Sequence, residues 1–448
     1  QITFFKVVYR RHTNFSMETI EQTISGSQTA SGSGTVTISR NGDLVYKVYV
    51  TVDGATALAG GGGGNSIINN IELEIGGQKI DKQTTQWNQI WADLTTPESK
   101  AAGFQCMTGG CSNATTYGVG QIQVPLNFWF CRNPGLALPL IALQYHEVKL
   151  KCLWGGTVGT RKVLCDYIYL DTDERRRFAQ VSHEYLIEQI QEQSADGTGS
   201  FKLNFNHPVK ELIWTSDADN TYADAILKLN GHDRFSKQQE EYFQLRQPLD
   251  YHTAVPGQNI VLTDRPQLLA TPIDSGITSE NDTPSGLTAV TIAADASDTG
   301  TITYAASQTI PFKVGDLFIS SVEPASSTAK VTGGLIHEVT EVTSTVVKFQ
   351  PDLEGPPTSG DAMQVFIVAR AQYPVSRTGS LTKKLNVYSF ALKPEEHQPS
   401  GTCNFSRIDN AKLDIGLSTG MDDDDTIYAV NYNVLRIMSG MGGLAYSN

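Results

Sequence analysis

Short β-branched and aromatic runs, separated by Gly, Asn, Asp and Pro, dominate the chain and predict a mostly β protein. The clearest predicted strands cover residues 35–38, 44–52, 71–75, 166–170, 225–229, 385–392 and 427–437. Helical periodicity is sparse. One helix is predicted over 84–100 and a second over 236–245, the first from apolar residues at helical spacing: Trp87, Ile90, Trp91 and Leu94. The pattern therefore predicts β-sheets with a few helices placed in loops.

Residues 133–150, NPGLALPLIALQYHEVKL, combine an apolar run with a rough alternation of apolar and polar positions. The run is about eight residues long and contains Pro139, whereas a membrane-spanning helix needs roughly 20 apolar residues. We therefore expect a buried turn over 135–143 that leads into a strand over 143–150, with a bulge at Glu147 where the alternation slips by one residue.

The two halves of the chain share short motifs in the same order. Residues 17–22 resemble 184–189, and residues 125–130 are echoed loosely by 387–392. Between them, IELEIGG (71–77) matches AILKLNG (225–231), and each is followed by a Lys-Gln pair and an aromatic helix: Lys82-Gln83 before Trp87, and Lys237-Gln238 before Tyr242-Phe243. This series predicts two copies of one all-β unit, residues 1–177 and 178–448, with the boundary near Arg177.

The second copy carries a long insertion over 250–380 that is rich in Ser and Thr and has its own strand pattern. A coil of this length is improbable inside a compact domain. We therefore expect a small β-module on the surface, and the predicted fold class is all-β: two tandem eight-stranded jelly rolls (a double jelly roll) with short helices in loops and an extra β-rich insertion in the second.

Composition narrows the classes of function. The chain has 448 residues and a net charge of −13, which disfavours direct nucleic-acid binding. Its six cysteines form no Cys-x-x-Cys pair, so we expect buried free thiols in a reducing compartment and no zinc site. No signal peptide or transmembrane segment is visible. Because the first residue is Gln1, we expect the true N-terminus to precede it.

The sequence predicts no catalytic, cofactor-binding or metal-binding residue. The glycine run AGGGGGN (59–65) lacks the Gly-Lys-Ser/Thr of a phosphate-binding loop. The acidic run MDDDD (421–425) has the oxygen ligands that calcium prefers, although a solvated acidic loop is the favoured interpretation. Candidate glycosylation acceptors, relevant only if the chain enters the secretory route, are Asn281, Asn113 and Asn404.

Six segments together resemble the major capsid proteins of the nucleocytoplasmic large DNA viruses, of the algal-virus and giant-virus kind. They span the chain outside the insertion: FFKVVYRRHTNF (4–15), GLALPLIALQYHEV (135–148), DTDERRRF (171–178), FNHPVKELIW (205–214), PSGTCNFSR (399–407) and YAVNYN (428–433).

The resemblance implies a structural, non-enzymatic protein of the virion capsid that is assembled in the host cytoplasm. It implies a homotrimer of double jelly rolls, a pseudo-hexagonal capsomer that tiles an icosahedral shell over an internal membrane. Expected partners are neighbouring capsomers, minor capsid and penton proteins and the side facing the inner membrane, without direct nucleic-acid binding. The alternative is a jelly-roll carbohydrate-binding protein or glycosidase. In a glycosidase, Glu72 and Glu74 could serve as the pair of catalytic carboxylates, because they share one strand face.

Overall fold

The computed structural model describes residues 13–53, 67–108, 121–156, 159–195, 199–216, 222, 224–256, 290–291, 300–303, 317–323, 331–343, 346–351, 362–369, 383–416 and 425–446. The chain forms two compact units, residues 1–257 with 375–448 and residues 258–374. The second unit lies inside the predicted 250–380 insertion. Within the described residues, no helix is long and apolar enough to cross a membrane.

Among the described residues, the N-terminal jelly roll has ten strands and three α-helices. In chain order they are β1 Phe15–Gln22, β2 Ile24–Gly26, β3 Ser33–Thr37, β4 Leu44–Asp53, β5 Ile68–Ile75, β6 Gln78–Thr84, α1 Thr85–Thr95, α2 Glu98–Met107, β7 Gln121–Pro125, α3 Trp129–Arg132, β8 Leu138–Pro139, β9 Val148–Trp154 and β10 Thr160–Leu170. One sheet has the order β1-β10-β4-β7, with β8 beside β4, and the other has the order β2-β3-β9-β5-β6. Both are antiparallel.

The C-terminal jelly roll follows the short helix α4. Its elements before the insertion are α4 Thr172–Gln180, β11 His183–Ser194, β12 Ser200–Leu203, β13 Pro208–Ser216, β14 Ala225–Leu229, β15 His232–Asp233, a π-helical turn Tyr242–Arg246 and α5 Gln247–Tyr251. The insertion then forms one six-stranded sheet from β16 Val290–Thr291, β17 Thr301–Thr303, β18 Leu317–Glu323, β19 Val331–Val342, β20 Val346–Gln350 and β21 Ala362–Ala369. The jelly roll resumes with β22 Lys384–Ser389, β23 Cys403–Asn404, β24 Ala411–Ile415, β25 Thr426–Met438 and β26 Met441–Leu444.

The two jelly rolls have the same strand order. The C-terminal sheets run β11-β25-β13-β22 and β12-β24-β14-β15, and they match β1-β10-β4-β7 and β3-β9-β5-β6 strand for strand. The motifs shared by the two halves fall on equivalent strands, since 17–22 lies in β1 and 184–189 lies in β11. The predicted double jelly roll is confirmed.

Each jelly roll has an apolar core between its two sheets. In β9 the side chains of Val148, Leu150, Cys152 and Trp154 are buried while the lysines between them reach solvent, as strand alternation requires. The C-terminal core has the same construction around Phe201, Trp214, Leu227 and Leu413.

Two helix predictions need correction. The helix predicted over 84–100 is two helices, because the chain is extended at Thr96 before Pro97 and begins a new helix at Glu98. The residue before a proline is disfavoured in helical conformation. The helix predicted over 236–245 begins later. Gln238 instead pairs in extended conformation with Ala225, and the helical segment runs to Tyr251.

The strand predicted over 143–150 begins only at Val148, so the prediction for residues 143–147 is wrong. This segment is held as a turn by Arg40, whose guanidinium Nη2 donates to the carbonyl oxygens of Leu143 and His146. Tyr145 is 75 % exposed there. The expected buried turn before it is confirmed, since Leu138, Leu140 and Leu143 are buried.

Deleting the insertion tests whether the double jelly roll folds without it. We expect a variant in which a short Gly-Ser linker replaces residues 258–374 to keep cooperative unfolding and β-rich circular dichroism, because every strand of the two jelly rolls lies outside these residues. As a control, deleting residues 384–389 removes β22 from its sheet and should abolish the cooperative transition. A linker variant that fails to fold would show that the insertion belongs to the folding core.

Candidate assembly interface

Helix α1 lies between the two jelly rolls and is buried along its length. Thr84 begins it as N-cap, accepting a hydrogen bond from the Trp87 amide at 3.3 Å. Trp87, Ile90, Trp91 and Leu94 form one cluster with the outer face of the C-terminal sheet, namely Ile213, Leu385, Val387, Tyr428 and Val430. The helix predicted from apolar periodicity therefore faces a different jelly roll from the one that supplies it.

Aromatic contacts dominate this junction. The Trp87 and Tyr428 rings lie 5.4 Å apart at 45°, and the Tyr428 hydroxyl donates to Gln86 Oε1 at 2.9 Å. Burial of each large apolar side chain contributes about 1.5–3 kcal/mol, and an aromatic pair adds about 0.5–1.5 kcal/mol. The junction therefore resembles a domain core more than a surface contact.

A buried ionic cluster joins the jelly rolls beside α1. The Glu188 carboxylate accepts from Lys210 Nζ at 2.7 Å and from Arg132 Nη1 at 2.6 Å. Glu188 and Lys210 belong to the C-terminal jelly roll and Arg132 to the N-terminal one. The Lys210 side chain is fully buried, and the Arg132 guanidinium stacks 3.9 Å from the Trp91 ring. No local sequence signal marks this cluster, because Arg132 and Glu188 are 56 residues apart.

Strand β6 of the N-terminal jelly roll contacts strand β11 of the C-terminal jelly roll through side chains. Asp81 Oδ1 accepts from the Ile190 amide at 3.2 Å, and the Gln189 side chain donates to the Ile80 carbonyl. Burial raises the pKa of Asp81 to about 7, against the lowering effect of the hydrogen bonds that its carboxylate accepts from the backbone amides of Ile190 and Lys82. Closer to solvent, Lys82 Nζ pairs with Glu192 at 2.6 Å.

The hairpin β25–β26 packs against the turn over 143–147. The Tyr145 amide donates to the Gly440 carbonyl at 3.0 Å, and the Gly442 amide donates to His146 Nδ1 at 3.1 Å. A Cβ on Gly442 would lie 2.7 Å from Leu143 Cδ2 and 3.2 Å from Ile75 Cγ2, so any larger residue would require the buried Leu143 side chain to shift. The glycine-rich end of the chain is therefore a packing element.

His252 directly follows helix α5 and links it to the C-terminal sheet through Glu211. Its Nε2 lies 3.0 Å from Glu211 Oε2 and its Nδ1 lies 3.0 Å from Glu395 Oε1. Ionised carboxylates only accept hydrogen bonds, so both ring nitrogens must carry protons. Burial disfavours the imidazolium, but the Glu211 and Glu395 carboxylates outweigh it and raise the pKa of His252 to about 9.

Only some of the predicted site residues lie within the part of the chain that the structure describes. Asn113, Asn281 and the glycine run 59–65 lie outside the described residues, as do residues 421–424 of the acidic run. Asp425 is buried and accepts from Lys383 Nζ at 2.6 Å, so it is not part of a solvated acidic loop. Asn404 is partly exposed, and its Oδ1 accepts from the Ser406 amide at 3.1 Å. Glycosylation there remains a prediction.

The thiols of Cys131, Cys152 and Cys165 are buried, as predicted. Burial raises the pKa of Cys131 and Cys152 to about 12, which keeps them protonated and unreactive at neutral pH. Cys403 is partly exposed, Cys111 lies outside the described residues, and the Cys106 side chain is also not described.

The carboxylates of the alternative hypothesis are already paired. Glu72 contacts Lys79 at 3.1 Å, and Glu74 contacts Lys151 on the neighbouring strand. Two clefts at the junction, of about 770 and 740 Å³, are lined by residues of both jelly rolls, but neither includes Glu72 or Glu74. Among the described residues, no group of three His, Cys, Asp or Glu side chains has metal-binding geometry.

Comparison with known proteins decides the family. Residues 3–155 match the model of the major capsid protein N-terminus, and residues 174–225 and 366–443 match that of the large eukaryotic DNA virus major capsid protein. The chain is 42 % identical to the major capsid protein of Pyramimonas orientalis virus, covering all of this chain and 94 % of the relative. It belongs to the major capsid proteins of large DNA viruses.

Other capsid proteins are also similar to this chain in sequence or in fold. The major capsid protein of Paramecium bursaria Chlorella virus 1 is 32 % identical over all of this chain and 95 % of its own length. A chain of the PBCV-1 virus capsid quasi-atomic model superposes with a TM-score of 0.62 at 29 % identity and full coverage of both chains. The Faustovirus major capsid protein shares the fold, with a TM-score of 0.55 at 10 % identity over 98 % of this chain and 93 % of its own. The members of this family are structural proteins of the capsid and not enzymes.

Removing Glu188 tests the ionic cluster in this capsid protein. We expect Glu188→Ala to lower the free energy of unfolding by about 3–5 kcal/mol, because Lys210 would be left buried without its carboxylate. Glu192→Ala, on the same strand but with a partly exposed partner, should cost within about 1 kcal/mol. Denaturant unfolding measures both, and equal losses would contradict the assigned role of Glu188.

The protonated His252 predicts a pH dependence. Because the folded state raises the pKa from 6.5 to about 9, the contribution of His252 is fully present below pH 6.5 and is lost as pH rises through 9. Wild type should therefore lose up to about 1.4 kcal/mol per pH unit more than His252→Gln across this window. Denaturant unfolding at pH 6, 7.5 and 9 measures the difference, and parallel curves would refute a charged His252.

Proposed function

We propose that this major capsid protein assembles as a homotrimer whose six jelly rolls form a pseudo-hexagonal capsomer. In this proposal the capsomers tile an icosahedral outer shell over an internal membrane, beside minor capsid and penton proteins. The observation that carries the proposal is the pair of equivalent jelly rolls held in one fixed contact through α1. Three chains with two jelly rolls each provide six similar building blocks, so six separate chains are not needed.

The energetics of the junction support a rigid building block. A subunit whose jelly rolls moved freely would present no constant outline to its neighbours. Here the aromatic contact of α1 and the buried charges of Glu188 and Lys210 fix one arrangement. The exposed apolar side chains of the same unit, including Leu249 at 70 % and Leu392 at 74 %, are consistent with further surface that a partner covers.

The solution mass of the purified chain tests the trimer. We expect light scattering to give 3 × 48.8 = 146.4 kDa, unchanged on dilution, because an obligate interface between such subunits buries on the order of 2,000 Å² or more. Addition of moderate salt should leave the mass unchanged if the interface is mainly apolar. A monodisperse monomer of 48.8 kDa would refute trimeric assembly.

A further inference from the structure

The helical segment 242–251 of the C-terminal jelly roll occupies the same position in the fold as α1. Helix α1 follows β5 and β6 and precedes β7, while the segment 242–251 follows β14 and β15 and precedes β22. The Lys-Gln pairs at 82–83 and 237–238 set the alignment. On this alignment Ile90 corresponds to Leu245, Trp91 to Arg246 and Leu94 to Leu249.

The two helical segments differ in what covers them. Ile90 and Leu94 are fully buried against the C-terminal sheet, whereas Leu245 is 41 % exposed and Leu249 is 70 % exposed. These exposed leucines occupy the positions that make the contact in α1. The helix of the C-terminal jelly roll therefore has an apolar face that no part of the described chain covers.

The sheet surface that α1 covers also has a counterpart. In the C-terminal sheet Ile213 pairs with Val387 on one side and Tyr428 on the other. In the N-terminal sheet Tyr49 pairs with Pro125 and Leu164 in the same way. Tyr49, Pro125 and Leu164 are all partly exposed, so this row offers an accessible apolar strip on the outer face of the sheet.

We propose that the helical segment 242–251 of one copy docks on the Tyr49–Pro125–Leu164 row of a second copy, repeating between chains the contact that α1 makes within one. This inference rests on the proposed trimer and names its contact surfaces. Each chain offers one helix and one sheet face, so the interface is heterologous and runs from head to tail. Three copies close a ring in which contacts within chains alternate with contacts between chains.

Charge fits the same pairing. Arg246 is exposed and pairs only loosely with Asp250, at 3.7 Å on the same helical segment. The N-terminal sheet carries Asp166 at the position equivalent to Val430, two residues beyond Leu164 on β10. Trp91 and Val430 belong to one apolar cluster within the chain. In the proposed contact Arg246 takes the place of Trp91 and Asp166 takes the place of Val430, so a guanidinium faces a carboxylate. Glu211 and Glu395 hold His252 at the end of the segment, which fixes the direction in which the leucines point.

The test replaces both leucines by charges. We expect Leu245→Glu/Leu249→Glu to give folded monomer by light scattering, with a trimer dissociation midpoint shifted by at least about 100-fold, since two buried leucines are lost at each interface. The matched control is Met438→Glu, a methionine 54 % exposed at the far end of β25, which should remain trimeric. A folded double variant that stays trimeric overturns the inference while leaving the trimer intact. A monomeric wild type overturns the proposed trimer itself.

Cross-linking gives a second readout that does not depend on weakening the fold. Chains carrying Leu245→Cys are mixed with chains carrying Leu164→Cys, reassembled and oxidised. We expect a covalent dimer on non-reducing gels from the mixture and none from either variant alone. A chain with both substitutions should give a ladder that ends at three chains. Absence of the mixed dimer from trimeric samples would overturn the proposed contact.

Discussion

The burial of α1 against a sheet from the other jelly roll is the contact on which the arrangement of the molecule depends. The helix contributes two tryptophans, an isoleucine and a leucine, which form one buried cluster with the outer face of the C-terminal sheet. Separating the jelly rolls would therefore expose a large apolar surface on both sides. The hydrophobic effect makes the pair one unit, although each member has its own sheets and its own core.

Polar groups in this junction have a different role. Glu188 and Lys210 have lost their hydration, and their attraction does little more than offset that loss. A shifted junction, however, would separate Glu188 from Arg132 and leave a buried charge without its partner. The apolar contacts supply most of the free energy that holds the two jelly rolls together. The ionic cluster makes other arrangements of the two jelly rolls less favourable. Asp81 adds to this, because its buried Oδ1 accepts a hydrogen bond from the Ile190 amide of the other jelly roll.

Duplication of one jelly roll creates two sets of equivalent surfaces, and the chain uses them unequally. In the first helix the contact positions are Ile90, Trp91 and Leu94, the composition of a permanent core. In the second the equivalent positions are Leu245, Arg246 and Leu249, and both leucines are exposed. The proposed contact between subunits predicts such a difference, because in that proposal one contact forms during folding and the equivalent contact forms only between folded subunits.

Much of this structure follows from local sequence. The alternation that defines β9, the apolar spacing of α1 and the repeated Gly turns after β5 and β14 are properties of neighbouring residues, and they suffice for two similar β-units and an inserted module. The turn over 143–147 is different, because its sequence alternates like a strand, whereas in the structure its Leu143 and His146 carbonyl groups bind Arg40, about one hundred residues earlier. The ionised His252 and the Glu188 cluster likewise have no local signature. The sequence by itself determined most of the strands and which of their faces are apolar, since these depend on periodicity. Only the tertiary structure decided which apolar face meets which, because that depends on side chains brought together from distant parts of the chain.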